Sequence, residues 1–211
     1  DFAENGCHAR TDGIDAEEMP MTMPLPWLNP PPEWRAEGDT LTLKTGRETD
    51  FWNQTFYGFV RHNGHFLPHR AEGDFSASVR FCAQWRTLYD QAGLMVRVDE
   101  ANWLKTGIEF TDGEAHFSVV VTRDGWSDWS VLALSEADAA GIEARVTRHG
   151  EALRVEFRPP EGGWRLARLC HLDMGAAVEV GPMACSPQGE GLEVHFSGFA
   201  IAPAIARELH G

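Results

Sequence analysis

Residues Asn102–Leu134 read "NWLKTGIEFTDGEAHFSVVVTRDGWSDWSVLAL". Three runs of alternating residues are separated by Asp112-Gly113 and Asp124-Gly125. Asp-Gly between alternating runs is a tight hairpin signal, because both central positions of the favoured turn need a positive φ. Along Trp103–Phe110, a strand sends Leu104, Thr106, Ile108 and Phe110 to one face. Trp103, Lys105, Gly107 and Glu109 go to the other. The first row suits a core. The second holds an aromatic, a cation, a glycine and an anion, and a glycine there weakens a strand. Either this row floors a binding site, or Lys105 and Glu109 are a solvated charge pair worth little.

The same period runs outward along the chain. "GDFSASVRFCAQW" alternates from Gly73, with Phe75, Ala77, Val79 and Phe81 on one side. "QAGLMVRVDE" puts Ala92, Leu94, Val96 and Val98 inward, and Gln91, Gly93, Met95 and Arg97 outward. "LEVHFSG", near the C-terminus, places Leu192, Val194 and Phe196 inward and Glu193, His195 and Ser197 outward. Further short alternating runs lie between "IEARVTRHG" and "AVEVGPMAC". Helix is expected only as short turns at "SEADAAG" and in the tail "PAIARELHG". Many short strands joined by Gly/Asp turns predict an all-β, two-sheet antiparallel β-sandwich or jelly roll. Phe81, Leu94, Val96, Ile108, Val119, Val121, Val155 and Phe196 are its expected core. The first 23 residues are polar and weakly patterned, so 1–23 reads as an N-terminal extension and 24–211 as the domain.

Composition narrows the function. The chain has 211 residues, 43% of them apolar, enough for one large domain with a real core. A formal charge of −14 argues against nucleic acid and anionic membrane surfaces as partners. Cys7, Cys82, Cys170 and Cys185 are widely spaced, with no C-x-x-C pair, so no structural zinc is expected. Inside strand-like runs, Cys82, Cys170 and Cys185 read as buried free thiols. His62, His65 and His69 read as solvated loop residues rather than metal ligands. The N-terminus lacks a basic start followed by an apolar run, and no stretch is long enough to span a bilayer, so a cytoplasmic location is the default. No phosphate loop, zincin motif or nucleophile elbow is present, and no cofactor is expected.

Four clusters together carry a resemblance: "TDFWNQTFYGF" from Thr49, "YDQAGLMVRVD" from Tyr89, "WLKTGIE" from Trp103 and "SVVVTRDGWSDWS" from Ser118. In this order and spacing the chain resembles the regulation-of-enolase family (domain of unknown function 1349). That resemblance spans roughly Trp27 to Ile201 and implies the concanavalin A-like lectin/glucanase fold, whose sugar sites lie on or beside a concave sheet. It points to Gln91, Arg97, Trp103, Lys105, Glu109 and His195 as candidate ligand contacts. The leading expectation is a protein that binds a carbohydrate or small polar ligand. The alternatives are a carbohydrate-active hydrolase or lyase and a regulatory protein that binds a protein partner. Glycoside hydrolysis uses two carboxyl groups. Glu109 is a weak catalytic candidate because it stands alone in its row. Tyr57, His116 or His195, Gln91 and Arg97 are residue types that suit a lyase. Trp52 and Trp129 read as core or corner anchors, and Asp50 and Asp128 as turn caps.

Overall fold

The computed structural model describes residues 26–209. The expected 1–23 extension lies outside them. In chain order the strands are β1 Glu33–Glu37, β2 Thr40–Lys44, β3 Phe51–Asn53, β4 Val60–His62, β5 His65–Phe66 and β6 His69–Glu72. They continue with β7 Phe75–Ala83, β8 Gln91–Arg97, β9 Trp103–Thr111, β10 Glu114–Arg123 and β11 Trp126–Ala133. After the helical turn α1 (Glu136–Ala139) come β12 Ile142–His149, β13 Ala152–Arg158, β14 Arg165–His171, β15 Ala177–Cys185 and β16 Glu193–Pro203. Ser135 caps α1, accepting from the Asp138 N–H at 3.1 Å. The tail "PAIARELHG" forms no helix over its described residues: β16 runs on to Pro203, where it pairs with Phe75.

The chain folds as an all-β, two-sheet antiparallel sandwich. One sheet has the order β1-β2-β16-β7-β12-β13-β14, and the other has β11-β10-β9-β8-β15-β5, with β6 also on β15. The alternation on the sequence is the alternation in space. Leu94, Val96, Leu104, Ile108, Val119 and Val121 meet Phe81, Val155 and Phe196 in the core between the sheets. Both Asp-Gly pairs close two-residue hairpins, with φ +56° and +80° at Asp112 and Gly113 and +51° and +79° at Asp124 and Gly125.

A second apolar layer covers part of the outer face of the β8–β11 sheet. The β3–β4 hairpin packs there, and Phe51, Trp52, Phe66, Met95, Trp103, Val120, Met183 and Cys185 form one buried cluster. Phe51 meets Trp103 edge-on at 6.2 Å between ring centroids. The Asn53 N–H donates to Ser127 Oγ at 2.9 Å and ties the hairpin to β11. The Asn53 side chain is buried and donates to the Glu100 carbonyl at 2.9 Å. Gly93 and Gly107 face each other across β8 and β9, and a Cβ on either would lie 2.0 Å from a backbone carbonyl oxygen. Close approach of two strands, rather than room for a ligand, is what these glycines supply.

Two expectations about single residues change. Cys170 and Cys185 carry free thiols, but Cys82 is disulfide-bonded. His65 is not solvated: it is buried, its Nε2 accepts from the Gly46 N–H at 2.8 Å and its Nδ1 donates to the Asn29 carbonyl at 2.8 Å. The acceptor bond at Nε2 requires the neutral ring, in the tautomer that carries its proton on Nδ1. Burial therefore lowers its pKa, against a smaller opposing effect of the Asn29 carbonyl. A lowered folded-state pKa means that the unfolded chain binds the extra proton first as the pH drops. The contribution of His65 is complete above its unfolded value of about 6.5 and is lost as the pH falls below it. The thermal midpoint of the wild type should thus fall more steeply between pH 7.5 and 5.5 than that of His65→Gln. Parallel curves would contradict the assignment.

Candidate functional site

Strand β9 decides the floor of the site. Its outward row begins with Trp103, which the hairpin covers completely. Beyond the hairpin's edge, Lys105 and Glu109 reach an open pocket of about 300 Å³. Gln91, paired with Glu109 across β8, shares the floor. The β3–β4 hairpin and its loop supply one wall with Trp52, Tyr57, Phe59 and Arg61, while Tyr89 and Trp129 line the pocket from β8's entry and from β11. Tyr57 stacks on Phe59 at 5.5 Å and meets Trp52 edge-on at 5.8 Å. The loop holds this wall through a Gly58 N–H bond to the Gln54 carbonyl and a Gln54 N–H bond to the Phe59 carbonyl.

Charge is concentrated on the floor. Lys105 Nζ donates to Asp50 Oδ1 at 2.9 Å, although only 4% of Lys105 is exposed. Burial works against its charge, but Asp50, Cys185 and Glu109 outweigh it and raise the pKa. The ammonium also lies 6.0 Å from the Trp103 ring, a cation–π contact that explains the aromatic two residues before it. Glu109 Oε2 accepts from Ser118 Oγ at 2.6 Å and from Trp129 Nε1 at 3.0 Å. Burial pushes the Glu109 pKa up, Lys105 and the two donors pull against it, and the Asp50 charge pushes the same way as burial. The net direction is upward.

A buried polar network holds the far edge of the pocket. Asp90, between the lining residues Tyr89 and Gln91, accepts from Ser186 Oγ at 2.8 Å and from the Thr87 N–H at 3.1 Å. Ser186 in turn bonds Thr45 Oγ1 at 2.7 Å and donates its N–H to Thr49 Oγ1 at 3.0 Å. Tyr89 sits at φ +66°, a left-handed conformation that costs an aromatic residue about 1–3 kcal/mol. It turns toward the pocket, where its hydroxyl meets that of Tyr57 at 3.1 Å. That bond, with burial second, pushes the Tyr89 pKa up to about 12.

Of the residues picked from sequence, Gln91, Lys105 and Glu109 come together at this pocket. Trp103 shares their strand face but lies beneath the hairpin, so no ligand reaches its ring. Arg97 pairs with Glu179 at 3.0 Å, outside the pocket lining. His195 is on the opposite sheet, where its Nδ1 meets Thr42 Oγ1 at 3.1 Å. His116 is likewise outside the lining. The acidic partner that Glu109 lacked is Asp50. Its carboxylate does cap the turn, Oδ1 accepting from the Phe51 N–H at 2.8 Å, and the same carboxylate lines the pocket. Trp129 is a half-exposed wall rather than a core anchor. Among the described residues no group of three or more His, Cys, Asp or Glu is placed to hold a metal ion, and no helix is long and apolar enough to cross a membrane.

Comparison with known proteins gives one family. The family described as "Protein of unknown function (DUF1349)" matches residues 27–204. "Regulation of enolase protein 1" of Saccharomyces cerevisiae is 42% identical over 184 residues, which are 87% of this chain and 92% of that one. A crystal structure of a functionally unknown protein from Saccharomyces cerevisiae superposes with a TM-score of 0.81 at 42% identity, covering 85% of this chain and 96% of that one. The GH43 protein BlXynB of Bacillus licheniformis shares the fold at a TM-score of 0.62 and 17% identity, over 86% of this chain and 37% of that one.

Proposed function

The chain belongs to the DUF1349 family, and on that premise we propose that its pocket binds a carbohydrate or closely related polyhydroxylated ligand. One observation carries this reading. The buried Lys105 ammonium spends one N–H on Asp50 and meets no other acceptor among the described residues. Beside it, Asp50 Oδ2, Glu109 Oε1 and Gln91 Oε1 take no donor from the described residues. Free donors and free acceptors side by side match hydroxyl groups, which both give and take hydrogen bonds. The aromatic walls suit the apolar C–H faces of a sugar ring. At about 300 Å³ the pocket is at the small end of ligand sites, so one or two rings fill it.

Calorimetric titration with neutral mono- and disaccharides and with uronates tests this. The wild type should bind at least one class, and Tyr57→Ala, which removes a wall without touching the core, should weaken it about tenfold, or ~1.4 kcal/mol. No binding by the wild type, or equal binding by Tyr57→Ala, would refute the reading. A protein partner is the second reading, favoured by Phe56, 93% exposed at the tip of the hairpin loop, with Val60 exposed nearby. It would predict that Phe56→Ser abolishes association with that partner while leaving saccharide titrations unchanged.

A further inference from the structure

The floor of the pocket carries unequal charge. Among the described residues Lys105 is its one buried cation, and two carboxyl groups, Asp50 and Glu109, share its field. The ion pair itself goes to Asp50, at 2.9 Å, and Glu109 makes none among the described residues. Its bonds come instead from the neutral Ser118 hydroxyl and Trp129 indole, both on Oε2. Only 7% of Glu109 is exposed, and Oε1 takes no donor from the described residues. A desolvated carboxylate held by neutral donors alone is one positive charge short. The other charged lining residues do not supply it. Glu48 and Arg61 are exposed, Glu48 3.3 Å from Arg47 and Arg61 over the Phe59 ring. His116 pairs with Glu109 across β10, but it lies outside the lining and its Nδ1 meets the Glu114 carbonyl.

Aromatic rings continue from Glu109 around the wall. Trp129, which donates to Glu109, meets Tyr89 edge-on at 6.5 Å. The Tyr89 hydroxyl meets that of Tyr57 at 3.1 Å, and Tyr57 touches both Phe59 and Trp52. A carboxylate among such rings suits an organic ammonium, whose charge the carboxylate pairs and the ring quadrupoles attract. We infer that the ligand is an amino sugar whose protonated amine is held by Glu109 Oε1 beside this belt of five rings. The inference rests on the saccharide reading above and narrows it. Because the Lys105 charge is already met by Asp50, the incoming ammonium completes a second pair on the floor. The unused N–H groups of Lys105 and Gln91 Oε1 remain for hydroxyls. Burial's upward push on the Glu109 pKa agrees, since a bound cation returns to the carboxylate what desolvation takes away. The formal charge of −14 acts in the same sense, drawing cations and repelling uronates.

The test titrates the full chain by calorimetry with glucosamine and galactosamine, just below neutral pH, where the amines carry a proton. Each is compared with its N-acetyl form and with its parent sugar, which differ from it in charge at one carbon. At least one amine should bind about tenfold tighter than both neutral counterparts, and glucuronate should bind more weakly than glucose. Glu109→Gln keeps a hydrogen-bonding group and removes the charge, so it should bring the ratio of amine to parent-sugar affinity down to about one. The wild-type comparison decides the matter even if that variant does not fold. Equal binding of the amines and their parent sugars, or tighter binding of glucuronate, would overturn the amine and leave the saccharide reading intact. A preference for the amine that survives in Glu109→Gln would overturn the role given to Glu109. If no sugar binds, both proposals fall together.

Discussion

Lys105→Ala should lower the unfolding free energy by about 3–5 kcal/mol, because it strands a desolvated carboxylate beside a second acid. Among the described residues Asp50 makes its ion pair only with Lys105, and Glu109 lies in the same buried floor. Chemical denaturation of the two proteins at neutral pH measures this difference. A change below about 1 kcal/mol would mean that the pair is solvated after all. The double variant Lys105→Met/Asp50→Asn sharpens the argument. A buried pair replaced by neutral groups of similar volume is often neutral or stabilising. That variant should recover most of the lost stability, yet it should not bind a saccharide. Recovered stability without recovered binding is the pattern of charges kept for a ligand rather than for the fold.

Trp103→Ala is expected to cost about 3–5 kcal/mol, the range for deleting a large buried aromatic side chain. Trp103 is fully buried and joins the sheet to the hairpin through Phe51, Met95 and Val120. The cavity would open directly under β3, whose neighbouring residues carry Asp50 and the wall made by Trp52 and Tyr57. Saccharide affinity should therefore fall together with stability, although Trp103 does not line the pocket. Trp103→Phe, which keeps most of the packing, should retain binding. If Trp103→Ala lost affinity at unchanged stability, the ring would have to be a ligand contact, contrary to its position beneath the hairpin.

These two cases also mark what local sequence could and could not reveal. The period of two on β9 correctly sent Leu104 and Ile108 to the core and Lys105 and Glu109 outward. Alternation says only that a residue leaves the main core. It cannot say that β3 and β4, half a hundred residues earlier, return to cover Trp103 and Met95. The same limit misplaced His195. Its outward direction was right, but β16 sits between β2 and β7 in the opposite sheet, so it faces away from the pocket. Asp50 was hidden differently. A turn role accounts for an aspartate before "FW", and its ion-pair partner is 55 positions away. Trp129 gave a usable signal: on β11 it pairs with Val120, which pairs with Lys105, so register alone puts it on the same face.

The central claim is that the row beginning at Trp103 ends as the floor of a saccharide pocket. The Trp129 indole N–H is its built-in reporter, since it donates to Glu109 Oε2 and Ser118 Oγ at the pocket wall. In a ¹⁵N-labelled sample this resonance is identified by its disappearance in Trp129→Phe. Titration with the saccharide that binds best by calorimetry should move the Trp129 indole signal and saturate with the calorimetric affinity, while the fully buried Trp103 indole moves little. A saturable saccharide titration that leaves the Trp129 indole signal in place would contradict the account.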